Sequence, residues 1–487
     1  MLAEVEGGRL TSEAARARTG ALLGLLAVCV LVGVLVYTNL ALAGAGVAMA
    51  LLLVLLALRH PSAIAYVALT WLVFEKAVGY HVGSYSNTLS TAGDGLLVLS
   101  LFWVLVLNLM RRHRPLFSLR EIGAPVLAFV ALGIVSTLVN AVPLRIAGLG
   151  ILSTIHAMLI FLALVNIGLQ ARDVRRFAFV VSGLIALVSI IAVLQAIPHS
   201  PAWALGGVHF TTTAGIMRVT GPFDNPNSLG DYLAMTVPIP LMLLFFGRTT
   251  GSARKLVAVA AGLGLLAILL TFAREAWLGL PVATLIVGLA VDRRLLKAFV
   301  TYVVPALVVL LLLAAPFASR LLETTHGNLR LTLLKLSMPL ILSHVWLGVG
   351  PGRFGGHVAL ITHTPLYAQY GLTQYFYGTG NQIDMFWTHL VAESGILGSA
   401  AFLAAIVACF ISGRRAYLRT FDPRRRALLL GLLYAAPVGV FVSLVSPTLE
   451  AGPGATLFWA LMGMLVVLAA SPDESHPLRR PSPVSHG

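Results

Sequence analysis

Four arginines and a short acidic run containing one histidine are the residues of this chain suited to chemistry on a charged substrate. Arg218 opens the string Arg-Val-Thr-Gly-Pro-Phe-Asp-Asn-Pro-Asn-Ser-Leu-Gly at 218–230, and Arg274 stands in Thr-Phe-Ala-Arg-Glu-Ala-Trp-Leu-Gly at 271–279. Arg330 and Arg353 lie further on, in a long segment of mixed polarity. A guanidinium is a planar fork of donors that meets phosphate oxygens two at a time, so arginines kept together near a membrane point to a phosphate or diphosphate ligand. The acidic run is Asn-Gln-Ile-Asp-Met-Phe-Trp-Thr-His-Leu-Val-Ala-Glu at 381–393. His389 and Glu393 are four residues apart and share a helix face. Asp384 or His389 could take the proton of an attacking hydroxyl. Each group also has a plain structural reading. Arg218 alone is a loop cation snorkelling to the membrane surface, Glu275 beside Arg274 could neutralise it, and His389 with Glu393 could be a polar contact between helices.

Other chemistries leave no trace. His326, His344, His357 and His363 have no metal-ligand spacing, and there is no calcium-binding loop, no phosphate-binding glycine loop of the nucleotide-hydrolysing type and no strained nucleophilic serine turn. Neither a metal nor another cofactor is expected, so the substrate must arrive already activated. Cys29 and Cys409 sit in separate apolar runs, which argues against a disulfide or a metal role.

The elements that must position these residues are membrane helices. The chain has 487 residues, 58% hydrophobic and 10% charged, with a mean hydropathy of +0.92. That is too apolar for a soluble domain. The net charge of +15 falls in loops between apolar runs, where it orients helices against anionic lipid, and nucleic acid is discounted as a partner. A span needs roughly 20 apolar residues. Runs of that kind start near 21, 40, 61, 92, 122, 145, 176, 229, 255, 275, 296, 385, 427 and 455. The expected fold is therefore an all-α, polytopic membrane bundle of 12–14 helices. Residues 1–20 form an inside tail followed by a retained first helix, 21–315 the first set of spans, 316–384 a large outside loop with an amphipathic helix, 385–470 the last spans, and 471–487 an inside tail.

With the N-terminus inside, the Arg-rich loops at 111–120 and 414–426 are also inside, as the positive-inside rule requires. Eight of the 33 Lys and Arg break the rule: Lys76, Arg145, Arg218, Arg274, Arg320, Arg330, Lys335 and Arg353. A buried Arg costs roughly 2.5–3.5 kcal/mol at mid-membrane on insertion scales, so the exceptions need partners. In the large loop, 329–342 has a helical rhythm that Pro339 should bend or end. Gly348 to Gly352 then forces a turn. Tyr367, Tyr370, Gln374 and Tyr375 supply rings and amides that suit either a sugar surface or an interfacial belt. Asn225 and Asn227 belong to a turn expected to hold Arg218 at the outer mouth of the bundle and to line the substrate with Glu393.

Four strings, in order, resemble the O-antigen ligase and Wzy-type polymerase group of membrane proteins. The string 218–230 resembles the family's Arg-x-x-Gly-x-x-x-Asn-Pro-Asn element. Residues 271–279 are similar to its Ser-Arg-Gly string, 329–354 match a third element ending Gly-Val-Gly-Pro-Gly-Arg-Phe, and 384–398 match its His/Asp-Asn-x-x-Leu run with Glu-x-Gly-x-x-Gly. The resemblance covers roughly 120–470. It implies a bacterial cytoplasmic-membrane enzyme, active outside, that moves a glycan from an undecaprenyl diphosphate donor to a glycan or glycolipid acceptor hydroxyl. Arg218 and Arg274 would hold the diphosphate, with Arg330 and Arg353 helping. The chain departs from the family where Asp384 stands in the place of the His, Met385 in that of the following Asn, and Ala273 and Glu275 flank Arg274. A single displacement with a base opposite the leaving group predicts inversion at the anomeric carbon. The competing class is a transporter or flippase of a lipid-linked or anionic substrate, which would also place charges inside a bundle.

Overall fold

The computed structural model of this chain describes residues 122–166, 169–205, 210–211, 217–305, 325–376, 385–450 and 452–471, with five isolated positions between 66 and 77. It is almost wholly helical. Six of the described helices are long and apolar enough to cross a membrane: Ala171–Gln195, Pro226–Phe246, Gly251–Thr271, Phe386–Arg419, Pro423–Val442 and Gly452–Ala470. The pair Leu144–Ile155 and Met158–Asn166, bent by 57°, makes a seventh if it is one span. Gly123–Val139 and Arg274–Ala290 are shorter apolar helices. The architecture is thus a multi-pass membrane bundle with a large helical region outside the spans. The expected spans near 21, 40 and 92 fall outside the described residues, as does nearly all of the one near 61.

Local chemistry explains where the helices begin. Asn-Pro-Asn is not the turn expected from its sequence. Asn225 caps Pro226–Thr236 by accepting from the backbone N–H of Ser228 at 2.8 Å, and Pro226 supplies a first helical residue that has no N–H to leave orphaned. Asp422 caps Pro423–Leu433 in the same way, accepting from the N–H groups of Arg424 and Arg425. The bundle then forms because each helix buries an apolar stripe. Gly251–Thr271 packs on Ala171–Gln195, Phe386–Arg419 on Gly123–Val139, and Gly452–Ala470 on both Met158–Asn166 and Phe386–Arg419. Trp459 lies at the centre, in edge contact with Phe161, Phe402 and Phe458. Outward faces carry exposed leucines and phenylalanines such as Leu138, Leu144, Phe245 and Leu289, as a lipid-facing surface would.

The large loop has a core of its own. Leu333, Leu340, Val349, Phe354, Ala359, Leu366, Tyr367 and Leu372 cluster with Met385, the N-cap residue of the following helix, and with Ala392 inside it. The amphipathic helix expected at 329–342 is Thr325–Ser343, and it runs through Pro339 for another turn rather than stopping there. Pro339 removes only one backbone donor, and burial of Leu340 beyond it holds the turn in place.

The helix Phe386–Arg419 is the one that the site depends on most. Its backbone is broken at Gly395, which takes φ 65° and ψ −173°, a conformation that only glycine adopts readily. The break frees carbonyls and N–H groups that a helix would have paired, and residues 345–350 pair them instead. Ile396 N donates to Val345 O at 2.8 Å, Val349 N to Ala392 O at 2.9 Å and Gly350 N to Glu393 O at 3.1 Å. A Cβ on Gly395 would lie 2.2 Å from Trp346 O, so the contact admits no side chain.

Candidate functional site

The arginine strings meet where three chain breaks adjoin. Helix Gly251–Thr271 ends because Phe272 adopts the left-handed conformation at φ 52°, and after the extended Ala273 the next helix starts at Arg274. The short strand Met217–Arg218 runs past this break. Arg218 Nε donates to Thr271 O at 2.8 Å and its NH2 group donates to Asn227 Oδ1 at 2.6 Å. Gln195, at the end of its helix, fixes the following backbone by accepting from Thr220 N and Gly221 N and donating to Gly221 O. The helix Pro226–Thr236 sits tightly on the break, since a Cβ on Gly230 would fall 2.7 Å from Ala273 Cβ and 3.1 Å from Ala276 Cβ. Two helix N-termini and one half-buried arginine therefore share one spot, a combination of aligned N–H dipoles and fixed cation that favours an anion.

Electrostatics extend the cluster. Burial lowers the pKa of Arg218, Glu275 raises it, and the positive charges of Arg274 and Arg330 lower it further. The charges of Glu275, Arg274 and Arg330 thus all act on Arg218. Arg274 is exposed at the first turn of its helix, whereas Glu275 points inward and is 8% exposed. Arg353 is held separately. Its guanidinium donates to the carbonyls of Asn140 and Val349, both at 3.4 Å, and burial lowers its pKa.

The histidine stands in a closed network. His389 is 3% exposed, with Nδ1 2.7 Å from Glu450 Oε2 and Nε2 3.3 Å from Glu393 Oε2. Glu393, equally buried, also accepts from the backbone N–H groups of Gly352 and Phe354, each at 2.8 Å. Tyr367 accepts from Gly355 N at 2.9 Å and stacks edge-on against Phe354. The glycines are required by this closeness: a Cβ on Gly356 would lie 2.8 Å from both Glu450 Oε1 and His389 Cε1. Both imidazole nitrogens are occupied by carboxylates in this arrangement.

A turn at 443–450 joins the two groups. Glu450 closes it at one end, and at the other Ser446 Oγ donates to Asp231 Oδ2 at 3.0 Å, while Thr448 Oγ1 donates to the same oxygen. Asp231 is 3% exposed and lies one residue after Gly230, against the start of the Arg274 helix. All these residues occupy one end of the bundle. The helices Arg274–Ala290 and Phe386–Arg419 both start there, and their far ends meet where Arg414 Nε donates to Ala290 O at 2.5 Å.

Of the residues singled out in the sequence, Arg218, Arg274, Arg330 and Asn227 are brought together, and His389 is joined to Glu393. Asn225 serves as a helix cap and its amide donates to Asp224 Oδ1 at 3.2 Å. Tyr367 is buried, Tyr370 and Tyr375 are half-buried and Gln374 is exposed. The Tyr370 hydroxyl lies 3.3 Å from Ser343 Oγ. Asp384 lies outside the described residues. Asp231 and Glu450 were not anticipated. A lone acid in an apolar run such as 229–246, or at a short turn between apolar runs such as 443–450, is the signal that could have found them, since each is as exceptional there as a buried arginine. Among the described residues no group of three or more His, Cys, Asp or Glu is arranged to hold a metal ion. No family model and no curated protein matches this sequence.

Proposed function

We propose that this chain transfers a glycan from a polyprenyl diphosphate to an acceptor hydroxyl at the outer face of a bacterial cytoplasmic membrane, as the O-antigen ligases and Wzy-type polymerases that it resembles do. The observation that carries this reading is Arg218 and Arg274 standing at two helix N-termini, with the charge of Arg330 acting on Arg218. A diphosphate offers oxygens to more than one guanidinium at once, which suits such a gathering. In the reaction the acceptor oxygen bonds to the anomeric carbon as the bond from that carbon to the diphosphate oxygen breaks. The arginines stabilise the negative charge that grows on the leaving diphosphate, a term worth about 10²–10³ in rate for a single donor in comparable sites. Asp384 takes the acceptor proton, and the anomeric centre inverts.

His389 has a different part in this scheme. With Nδ1 on Glu450 and Nε2 on Glu393 it braces the loop 348–356, and the base role rests on Asp384. Tyr370, Gln374 and Tyr375 are accessible enough to meet the sugar, and Tyr370 and Tyr375 pack against the buried cluster that includes Tyr367.

A second reading, a transporter or flippase of a lipid-linked substrate, draws on the bent pair near 156 and the breaks at 272–273 and 395, because interrupted helices are common at transport sites. One experiment separates the two. Purified protein in vesicles is given a synthetic polyprenyl diphosphate glycan and an acceptor, and product is followed by mass. Transfer by wild type and its loss in Arg218→Ala, Arg274→Ala and Asp384→Asn support the enzyme. Movement of donor across the bilayer with no new glycosidic bond would overturn it.

A further inference from the structure

Asp231 and Glu275 are buried carboxylates, 3% and 8% exposed, and each keeps one oxygen, Asp231 Oδ1 and Glu275 Oε1, without any hydrogen-bond partner. Such an oxygen loses its water without replacement, which costs about 1–3 kcal/mol for a neutral group and more for a charged one. The helices that carry them are in direct contact: Pro226–Thr236 packs on Arg274–Ala290, and both pack on Ala435–Val442. The touching point is Gly230 against Ala273 and Ala276, one residue from each acid. The negative charge of Glu275 acts on Asp231, and Arg330 is the cation within reach of it. Two hydroxyls, Ser446 and Thr448, already point at Asp231, and Ser443 Oγ in the same turn is fully buried and also lacks a partner.

The donor set is therefore all oxygen: two carboxylates and three hydroxyls at a place where helices are interrupted. Hard oxygen ligands select hard cations. The three hydroxyls follow the C-terminal end of the helix Ala435–Val442, and the C-terminal ends of interrupted helices are where membrane proteins coordinate sodium. Two carboxylates are also few for a divalent ion, whose own sites usually draw on more acid and water ligands. We propose that Asp231 and Glu275, with the hydroxyls of Ser443, Ser446 and Thr448, bind one sodium-class monovalent cation. The site ties the start of the Arg274 helix to the 443–450 turn, and so links the arginine cluster to Glu450 and His389. It stands independently of glycan transfer, because its ligands and its readout are separate from the reaction.

The test uses full-length protein purified without sodium, in choline chloride, and then titrated with sodium chloride at constant ionic strength. Radioactive sodium binding gives stoichiometry, and tryptophan-monitored melting gives stabilisation. The wild type is expected to bind one sodium per chain and to melt at a higher temperature as the site fills. Asp231→Asn and Glu275→Gln should abolish both effects, and Ser446→Ala should weaken binding about tenfold or more. If Asp231→Asn fails to fold, Glu275→Gln and Ser446→Ala carry the comparison. Equal melting in choline and sodium with no bound sodium would overturn the site, as would wild-type sodium binding by Glu275→Gln. A preparation that binds sodium but transfers no glycan leaves the site standing and removes only the enzyme reading.

Discussion

At the histidine end of the polar face, Glu393 has both oxygens committed to Gly352, Phe354 and His389, and the imidazole has both nitrogens committed to carboxylates. At the arginine end, Arg218 spends two donors on Thr271 O and Asn227, while Glu275 and Asp231 retain unpartnered oxygens. Both ends concentrate charge in a low-dielectric setting, yet only one completes its hydrogen bonding internally. A network that is fully satisfied rigidifies its surroundings. A cluster that is only partly satisfied has capacity left for something else. Structure and binding are thus divided between the two, with the 443–450 turn between them.

Substitutions should separate the ends by which property fails. The largest effect belongs to Glu393→Ala. It strands two buried N–H groups and leaves the imidazole with one carboxylate, and breaking a buried charge pair costs about 3–5 kcal/mol. The melting temperature of the purified protein should fall steeply, and any loss of transfer should track the loss of fold. Arg274→Gln should do the reverse. Substitution at an exposed position such as this changes stability by about 0.5 kcal/mol or less, so melting should match wild type while transfer falls about 10²–10³-fold. Destabilisation by Arg274→Gln comparable to that of Glu393→Ala would erase the division.

Asn227→Ala comes next, and it probes how firmly the arginine must be held. The amide oxygen is 2.6 Å from the guanidinium, and a hydrogen bond to a charged group contributes about 1.5–3 kcal/mol. Arg218 keeps its bond to Thr271 O but gains freedom about Nε, so the donor KM should rise about 10-fold or more with kcat less affected. An unchanged KM would mean that Thr271 alone positions the guanidinium.

Much of this layout was legible from composition. The span starts expected near 122, 229, 255, 275, 385 and 455 coincide within a few residues with helix starts at Gly123, Pro226, Gly251, Arg274, Phe386 and Gly452. Long apolar runs admit few other structures in lipid. Arg218 with Asn227, and His389 with Glu393, are also close in sequence, and short spacings translate directly into shared faces. The break at 272–273 falls between the spans expected from 255 and 275, whereas the one at Gly395 was not legible, because it lies in a run whose hydropathy continues past it. Glu450 is 61 residues from His389 and Asp231 is 215 from Ser446, and pairings at that distance follow from topology rather than spacing. Tyr367 was expected to face sugar. An aromatic ring carries enough apolar area to be buried once its hydroxyl finds a donor, and Gly355 N provides one.

The smallest effect, Tyr367→Phe, tests whether the closed end supports the open one. The substitution keeps the ring and its edge contact with Phe354, 5.9 Å between centroids, and removes only the hydroxyl that accepts from Gly355 N. Gly355 sits at φ 79° directly over the imidazole, where a Cβ would be 3.2 Å from His389 Cβ and Cδ2. A buried N–H left without an acceptor costs about 1–3 kcal/mol, and in a loop that can shift to meet water the lower figure applies. The melting temperature should therefore drop slightly, and hydrogen exchange at Gly355 and Gly356 should quicken while that of the helix Gly452–Ala470 stays as it was. If the loop 348–356 only braces the fold, transfer should fall no further than the loss of folded protein explains. A larger fall in kcat at full occupancy of folded enzyme would show that the position of this loop is felt at the reacting bond, and that the two ends work as one.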